Sequence, residues 1–366
     1  MRKAFLLSLL LILLLLGCQG ASQAEALAPT AAATEAPTPV PTATPLPPPS
    51  AHAIIVSAAP VTATPTISPD ATLVATPSPT PTPSPTPEPT PFTMVWMSDT
   101  QHMSRNNPDV FNTMRDWILN NREKENIQFV VHTGDVVDSI GTVMFENANN
   151  ALVPIFEALP GMIVSGNHDV TKSGKTWHFT RQPYAKLVHK EGQTLSENEG
   201  ANVYASYVTF RACDTDFLVF GIGFDVICFD WVNEVIAKYP NHVVIVVVHK
   251  GLQPDGDFTK ETLSLFRRVM PLWPNFRLVL CGHERGTLMR TDWFDDDGDE
   301  TPERSVTTMM FNYQDDRKEG LGFMRLLRFN PVDHSIEVLT YSPWFDQWGY
   351  PKATDEENHF ILINAW

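Results

Sequence analysis

Five short apolar runs in this chain each end, within a few residues, in side chains able to donate to a metal ion. In chain order they deliver Asp99, Asp135, the run Gly166-Asn167-His168-Asp169, then His249 and finally Gly282-His283. Apolar runs of this length, bounded by Gly and Asp, read as buried strands. Donors at successive strand ends converge on one rim of an open α/β sheet, and carboxylate, amide and imidazole together suit a divalent metal. A lone Gly-Asp reads as a turn and a lone strand-end histidine as a structural residue, but the ordered set of five reads as a site.

Between the runs the apolar period changes to three-and-four. Pro108 to Glu125 carries Val110, Phe111, Met114, Trp117 and Ile118 at that spacing, which predicts a helix, and further helices are expected over Phe145 to Leu159, Asp230 to Tyr239 and Thr259 to Leu272. Strands are expected at Thr93 to Met97, Ile127 to Val131, Gly161 to Val164, Val243 to Val248 and Phe276 to Cys281, with a hairpin from Val203 to Phe210 and Asp216 to Gly221. The remainder is β-rich, with strands at Gly286 to Thr291, Val306 to Asn312, Gly322 to Phe329 and Ile336 to Tyr341. A mixed sheet with helices, continued by a second β layer, is an α/β fold arranged as a four-layer α/β/β/α sandwich.

The first 91 residues are of another kind. Arg2 and Lys3 precede an apolar stretch from Ala4 to Leu16, shorter than the roughly 20 residues a membrane span needs, so residues 1–18 read as a signal peptide. Its end, Leu15-Leu16-Gly17-Cys18, resembles a bacterial lipobox, which implies a lipid on Cys18 and attachment to the membrane. Residues 19–91 are mostly Pro, Thr, Ala and Ser and cannot offset the entropy of ordering, so they are expected to form a disordered stalk. At about 3.1 Å per residue its contour approaches roughly 200 Å as an upper limit. One domain then occupies 92–366, exported, anchored to the envelope and facing the exterior or the periplasm.

The net charge of −16 resides almost wholly in that domain, because the first 91 residues carry only Arg2 and Lys3 against Glu25, Glu35, Asp70 and Glu88. Such acidity argues against nucleic-acid binding by charge and suits a site that gathers cations. No protein partner is inferred. Cysteines are sparse and show no Cys-x-x-Cys pair. Cys281 reads as a core residue, and Cys213 and Cys228 could pair in an oxidising compartment.

In Ser98-Asp99-Thr100-Gln101, a carboxylate and an amide two residues apart leave the same side if the backbone stays extended. Gly134 permits close backbone approach, so Asp135 can bridge two cations. Asn167, His168 and Asp169 supply an amide oxygen, an imidazole and a carboxylate able to orient that imidazole. At these residues the chain resembles the calcineurin-like metallophosphoesterase superfamily, whose signature runs D-x-H, G-D, G-N-H-[DE], H and G-H-x-H. The Asp99-Thr100-Gln101 opening, Asn312-Tyr313-Gln314 and Thr340-Tyr341-Ser342-Pro343 resemble an exported branch of it.

The resemblance implies a surface-tethered phosphoesterase that hydrolyses phosphate mono- or diesters, small esters or nucleotides, by attack of a metal-bound hydroxide. It implies two divalent ions, Mn, Fe or Zn. Asp135, Asn167, His249 and His283 would hold one, and Asp99, Gln101 and Asp135 the other. His168, assisted by Asp169, would protonate the leaving group. Two departures stand out. Gln101 replaces a histidine, and Arg285 stands where a second histidine would ligate. An amide is a poorer donor than imidazole and guanidinium is none, so the Asp99/Gln101 position is expected to be weaker. His102 and Glu284 flank the lost ligands and read as neighbours. Arg285 either places a fixed cation by the phosphate or pairs with a nearby acid. The same departures leave open a non-catalytic surface binding module with an impaired metal site.

Two other segments are suggestive. Thr171 to Gly200 is polar and irregular, and its Trp177, His178, Phe179, Arg181 and Tyr184 either stack on a substrate or, the favoured reading, pack a loop. Asp295-Asp296-Asp297-Gly298-Asp299 fails the spacing of a calcium-binding EF-hand and reads as a solvated hairpin turn.

Overall fold

The computed structural model describes residues 90–174, 176–188, 205–314, 320 and 322–366. The expected signal peptide with Cys18 and nearly all of the expected stalk lie outside the described residues, as do 189–204, which include the start expected for the strand at Val203. Among the described residues no helix is long and apolar enough to cross a membrane.

In chain order the elements are β1 (Phe92–Met97), α1 (Gln101–Asn106), α2 (Pro108–Asn120), β2 (Ile127–His132), α3 (Thr142–Ala158) and β3 (Gly161–Ile163). Two short helices follow, α4 (Trp177–Thr180) and α5 (Pro183–Val188), and then the hairpin of β4 (Ala205–Ala212) and β5 (Thr215–Ile222). Next come α6 (Phe229–Ile236), β6 (Val243–Val248), α7 (Lys260–Arg268), β7 (Phe276–Cys281), β8 (Gly286–Phe294) and β9 (Arg304–Asn312). The chain ends with β10 (Met324–Asn330), β11 (Ser335–Ser342), β12 (Gln347–Trp348), α8 (Asp355–Asn358) and β13 (His359–Leu362).

The strands form two mixed sheets, ordered β12-β11-β10-β1-β2-β3, with β13 also on β11, and β4-β5-β6-β7-β9-β8. β1, β2 and β3 run parallel, as do β5, β6, β7 and β9. The apolar runs explain the layering. In the all-valine-and-isoleucine β6, Ile245 and Val247 join the core that holds Met94, Trp96 and Val130 of the first sheet, while Val244, Val246 and Val248 join a second core. A strand with both faces apolar needs cover on both sides. The second core is closed by Val232, Val235 and Ile236 of α6 and Leu265 of α7, whereas Val110, Phe111, Met114 and Ile118 of α2 pack into the first. Two sheets flanked by helices are the expected architecture.

Two sequence readings change, and one left open is decided. Gln101 does not continue an extended strand but opens α1, because Asp99 takes a left-handed backbone (φ 50°) that turns the chain. Cys213 and Cys228, whose pairing the sequence left open, are free: the Cys213 thiol donates to Thr90 O, and Cys228 is buried at the start of α6. The segment after Asp169 is not wholly irregular, since α4 and α5 bury Phe179 and Tyr184, ring against ring at 5.7 Å. Core packing accounts for these two aromatics; the Trp177 side chain lies outside the described residues.

Candidate metal centre

All five motifs lie just past the C-terminal ends of parallel strands: Asp99 after β1, Asp135 after β2, Asn167 to Asp169 after β3, His249 after β6 and His283 after β7. The turns are tight. Asp99, Asp135 and His283 have φ of 50°, 54° and 72°, a strained conformation for residues with a Cβ and one that concentrates at functional sites. Two glycines let the turns approach one another. A Cβ on Gly166 would lie 2.7 Å from Asp135 Cγ and closer still to its Oδ1. A Cβ on Gly282 would meet Thr133 Oγ1 at 3.1 Å and come closer to Asp99 Oδ2 and Ser98 Oγ.

Four donor atoms then share one space. His249 Nε2 lies 3.0 Å from Asn167 Oδ1, 3.1 Å from His283 Nδ1 and 3.4 Å from Asp135 Oδ1. The other nitrogen of His249 donates to Thr133 O at 2.9 Å, which leaves Nε2 facing the cluster, as the outer hydrogen bond of a metal-ligating imidazole does. Asp135 Oδ2 lies on the opposite side, 3.1 Å from the Gln101 amide nitrogen. Gln101 Oε1 is buried with no hydrogen-bond partner, an arrangement that is costly unless a cation or donor completes it. Asp99 accepts from Ser98 Oγ and from His283 N.

The electrostatics fit the same reading. Burial and the Asp135 carboxylate push Asp99 up to about 7, with His249 opposing. Burial disfavours a charged His249, yet Asp135 and Asp99 outweigh it and hold the imidazole at about 9. For Asp135, His249 overcomes burial and lowers the carboxyl. Burial, then the positive charge of His249, lowers His283 to about 4. The proton on His249 thus supplies positive charge where two buried carboxylates demand it, and a divalent cation would supply more. The donors present therefore fit a metal, best at Asp135, Asn167, His249 and His283.

His168 is placed by Asp135, whose Oδ1 accepts its backbone N–H at 2.9 Å. Its imidazole is not oriented by Asp169. That carboxylate is buried and accepts backbone N–H from Val136, Val137 and Gly166, so its oxygens are committed to bracing the turns. Instead His168 Nδ1 pairs with Asp138 O at 2.8 Å and lies 3.6 Å from Asp138 Oδ1. Asp138 also binds Arg105 and lies 3.5 Å from His102 Nε2. Sequence reasoning missed Asp138, although its position three residues beyond Asp135 was a usable signal. His102 thus turns to Asp138, and Glu284 lies between His283 Nε2 and Lys250 Nζ, 3.7 Å from each. Arg285 is exposed at the start of β8. The Asp295 segment is the solvated turn joining β8 to β9; its carboxylates approach one another but accept neighbouring backbone N–H groups.

A family model described as calcineurin-like phosphoesterase matches residues 92–285. The uncharacterized protein YvnB of Bacillus subtilis is 30% identical over 268 residues, covering 71% of this chain but 20% of its own length, so the chain spans about a fifth of that relative. Among solved structures, GAP50, the anchor in the inner membrane complex of Plasmodium, is 12% identical with a TM-score of 0.43, covering 71% of this chain and 87% of that one. NAD nucleotidase of Haemophilus influenzae is 10% identical with a TM-score of 0.41, covering 73% of this chain and 54% of that one.

Proposed function

The chain belongs to the calcineurin-like phosphoesterase family, and from that premise we propose that it is a metal-dependent hydrolase of phosphate mono- or diesters, held at the cell surface by a lipid on Cys18. The observation that carries the reading is the meeting of Asp135 Oδ1, Asn167 Oδ1, His249 Nε2 and His283 Nδ1 in one space.

Those four residues would hold one divalent ion, and Asp99, Gln101 and Asp135 would hold a second, weaker one. When bound, the ions supply Lewis acidity, drawing charge from phosphoryl oxygens and making water a competent nucleophile near neutral pH. The protein positions everything else. Asp135 belongs to both donor groups, one oxygen beside His249 and the other beside Gln101. Thr133 O holds the ring of His249 and thereby the direction of its lone pair. Asp138 O accepts from His168 Nδ1, so Nε2 is the nitrogen left to carry a transferable proton to the departing ester oxygen. Asp169 keeps the turns carrying Asp135 and His168 in register. Arg285 places a fixed cation beside the phosphate.

The domain at 92–366, the stalk at 19–91 and the signal peptide at 1–18 complete the proposal, on the strength of the composition and the lipobox resemblance. Metal analysis of the purified protein, then assay with chromogenic phosphate mono- and diesters under added manganese, zinc or iron, tests the activity. Tight metal binding without hydrolysis supports the binding-module reading instead, which Gln101 and Arg285 favour. For the anchor, a Cys18→Ser variant is expected to leave the membrane fraction; its retention there would refute lipidation.

A further inference from the structure

A cavity of about 430 Å³ adjoins the candidate metal centre, with His249 in its wall. That volume lies in the range of pockets that enclose small organic groups. Phe224 stands in the same wall, its ring centroid 6.1 Å from that of His249 and 6.4 Å from that of His283. The backbone N–H of Phe224 donates to Ser165 O at 2.9 Å, which ties this wall to the turn carrying Asn167 and His168. The lining also includes Val226, Phe229 and Leu265, all buried. Charge at the rim is balanced, Lys250 and Lys260 against Asp225 and Glu261, so the cavity exerts no strong pull on an anion.

His168 does not line this cavity; its imidazole is held against Asp138. The departing ester oxygen has to lie near His168, so a group entering the cavity past His249 hangs from a different oxygen of the same phosphorus. A phosphate monoester has no such group. We infer that the cavity seats the retained ester group of a phosphodiester, an uncharged group with an apolar or aromatic face. The inference rests on the phosphoesterase reading and narrows it to diesters. In the reaction, water adds to phosphorus, the P–O bond facing His168 breaks with a proton passing to that oxygen, and the retained group stays on the phosphate monoester product.

The test compares bis(p-nitrophenyl) phosphate with p-nitrophenyl phosphate on the manganese-loaded protein, in the wild type and in two variants that fill the cavity from different sides, Val226→Phe and Leu265→Trp. The wild type is expected to prefer the diester by about tenfold or more in kcat/KM, and each variant to lower the diester-to-monoester ratio about tenfold, the scale of discrimination that an apolar pocket provides. Damage to the fold lowers both substrates in parallel and leaves the ratio alone. Calorimetric binding of diphenyl phosphate is expected to weaken in the same order. A wild type that prefers the monoester, or an unchanged ratio in two variants that melt like the wild type, overturns the inference while the phosphoesterase reading stands. Binding of diphenyl phosphate that the variants weaken, with neither ester hydrolysed, keeps the cavity as a diester site and overturns hydrolysis. Absence of both binding and hydrolysis overturns both.

Discussion

Replacing Gly166 by alanine tests whether the candidate metal centre depends on close approach of the turns after β2 and β3. The added Cβ would stand 2.7 Å from Asp135 Cγ and closer to its Oδ1 and N, whereas carbon contacts settle near 3.5 to 4.0 Å. One turn must therefore retreat by about 1 Å. Neither is free to do so cheaply, because Gly166 N donates to Asp169 Oδ2 at 2.8 Å and Asp135 Oδ1 accepts from His168 N at 2.9 Å. Overpacking of this kind costs about 1 to 3 kcal/mol, and at roughly 2 to 4 °C per kcal/mol for a domain of this size the melting temperature of the metal-free protein is expected to fall by about 2 to 12 °C. The loss in metal affinity should be the larger signal, since ligand distances tolerate only about 0.2 Å and lesser disturbances around a metal cost about 10- to 100-fold. Manganese titration of chelator-stripped protein by calorimetry, with thermal melts alongside, reads both. Gly141→Ala is the control, because a Cβ there meets the far end of the flexible Met144 side chain at 3.2 Å and Ser139 O at an ordinary 3.9 Å. Wild-type metal affinity in Gly166→Ala would falsify the placement of Asp135 as a ligand held by that turn.

Other consequences follow from the same geometry. His168→Ala is expected to lower turnover about 100-fold or more while metal content stays near wild type, whereas Asp138→Ala, which keeps the carbonyl that accepts from His168 Nδ1 and removes only the carboxylate 3.6 Å from it, should lower turnover by less; equal loss of metal in either variant, by elemental analysis, would make the residue a structural one. Stripping the metal should lower the melting temperature, and restoring manganese to 100 times its dissociation constant should return about 2.7 kcal/mol; a melt indifferent to both treatments argues against a site formed by the fold. His132 is fully buried, with its pKa lowered to about 3, by burial first and then by the positive charge of His249. The unfolded chain therefore takes up a proton below pH 6.5 that the folded chain refuses, so stability is full above that pH and is lost as pH falls toward 3, by roughly 5 kcal/mol at most. His132→Asn should remove about one proton from the acid slope, leaving the contribution of His283, and an acid denaturation series with an unaltered slope would refute this.

Much of the fold was legible because burial imposes period and composition together. The runs Val243 to Val248 and Phe276 to Cys281 could only be strands covered on both faces, and they are central in their sheet. Alpha-helical spacing located α2, α3, α6 and α7. Signals too short to carry a period were missed: α1, α4, α5, α8, β12 and β13 span between two and six residues each, and tertiary contacts rather than local preference hold such pieces in place. Gln101 shows the limit. Its side chain reaches Asp135, but by way of a left-handed turn and a helix start that alternation could not foresee.

The order of Asp99, Asp135, Asn167, His249 and His283 along the chain determined which donors exist and that strand ends would carry them, since chemistry and periodicity are both local properties of the sequence. Which nitrogen of His249 faces the cluster, that Asp138 rather than Asp169 holds the imidazole of His168, and that a cavity opens beside Phe224 were decided only when two sheets packed together. These facts depend on atoms tens to more than a hundred positions apart in sequence, where a shift of one ångström makes or breaks a bond and no local pattern records the difference.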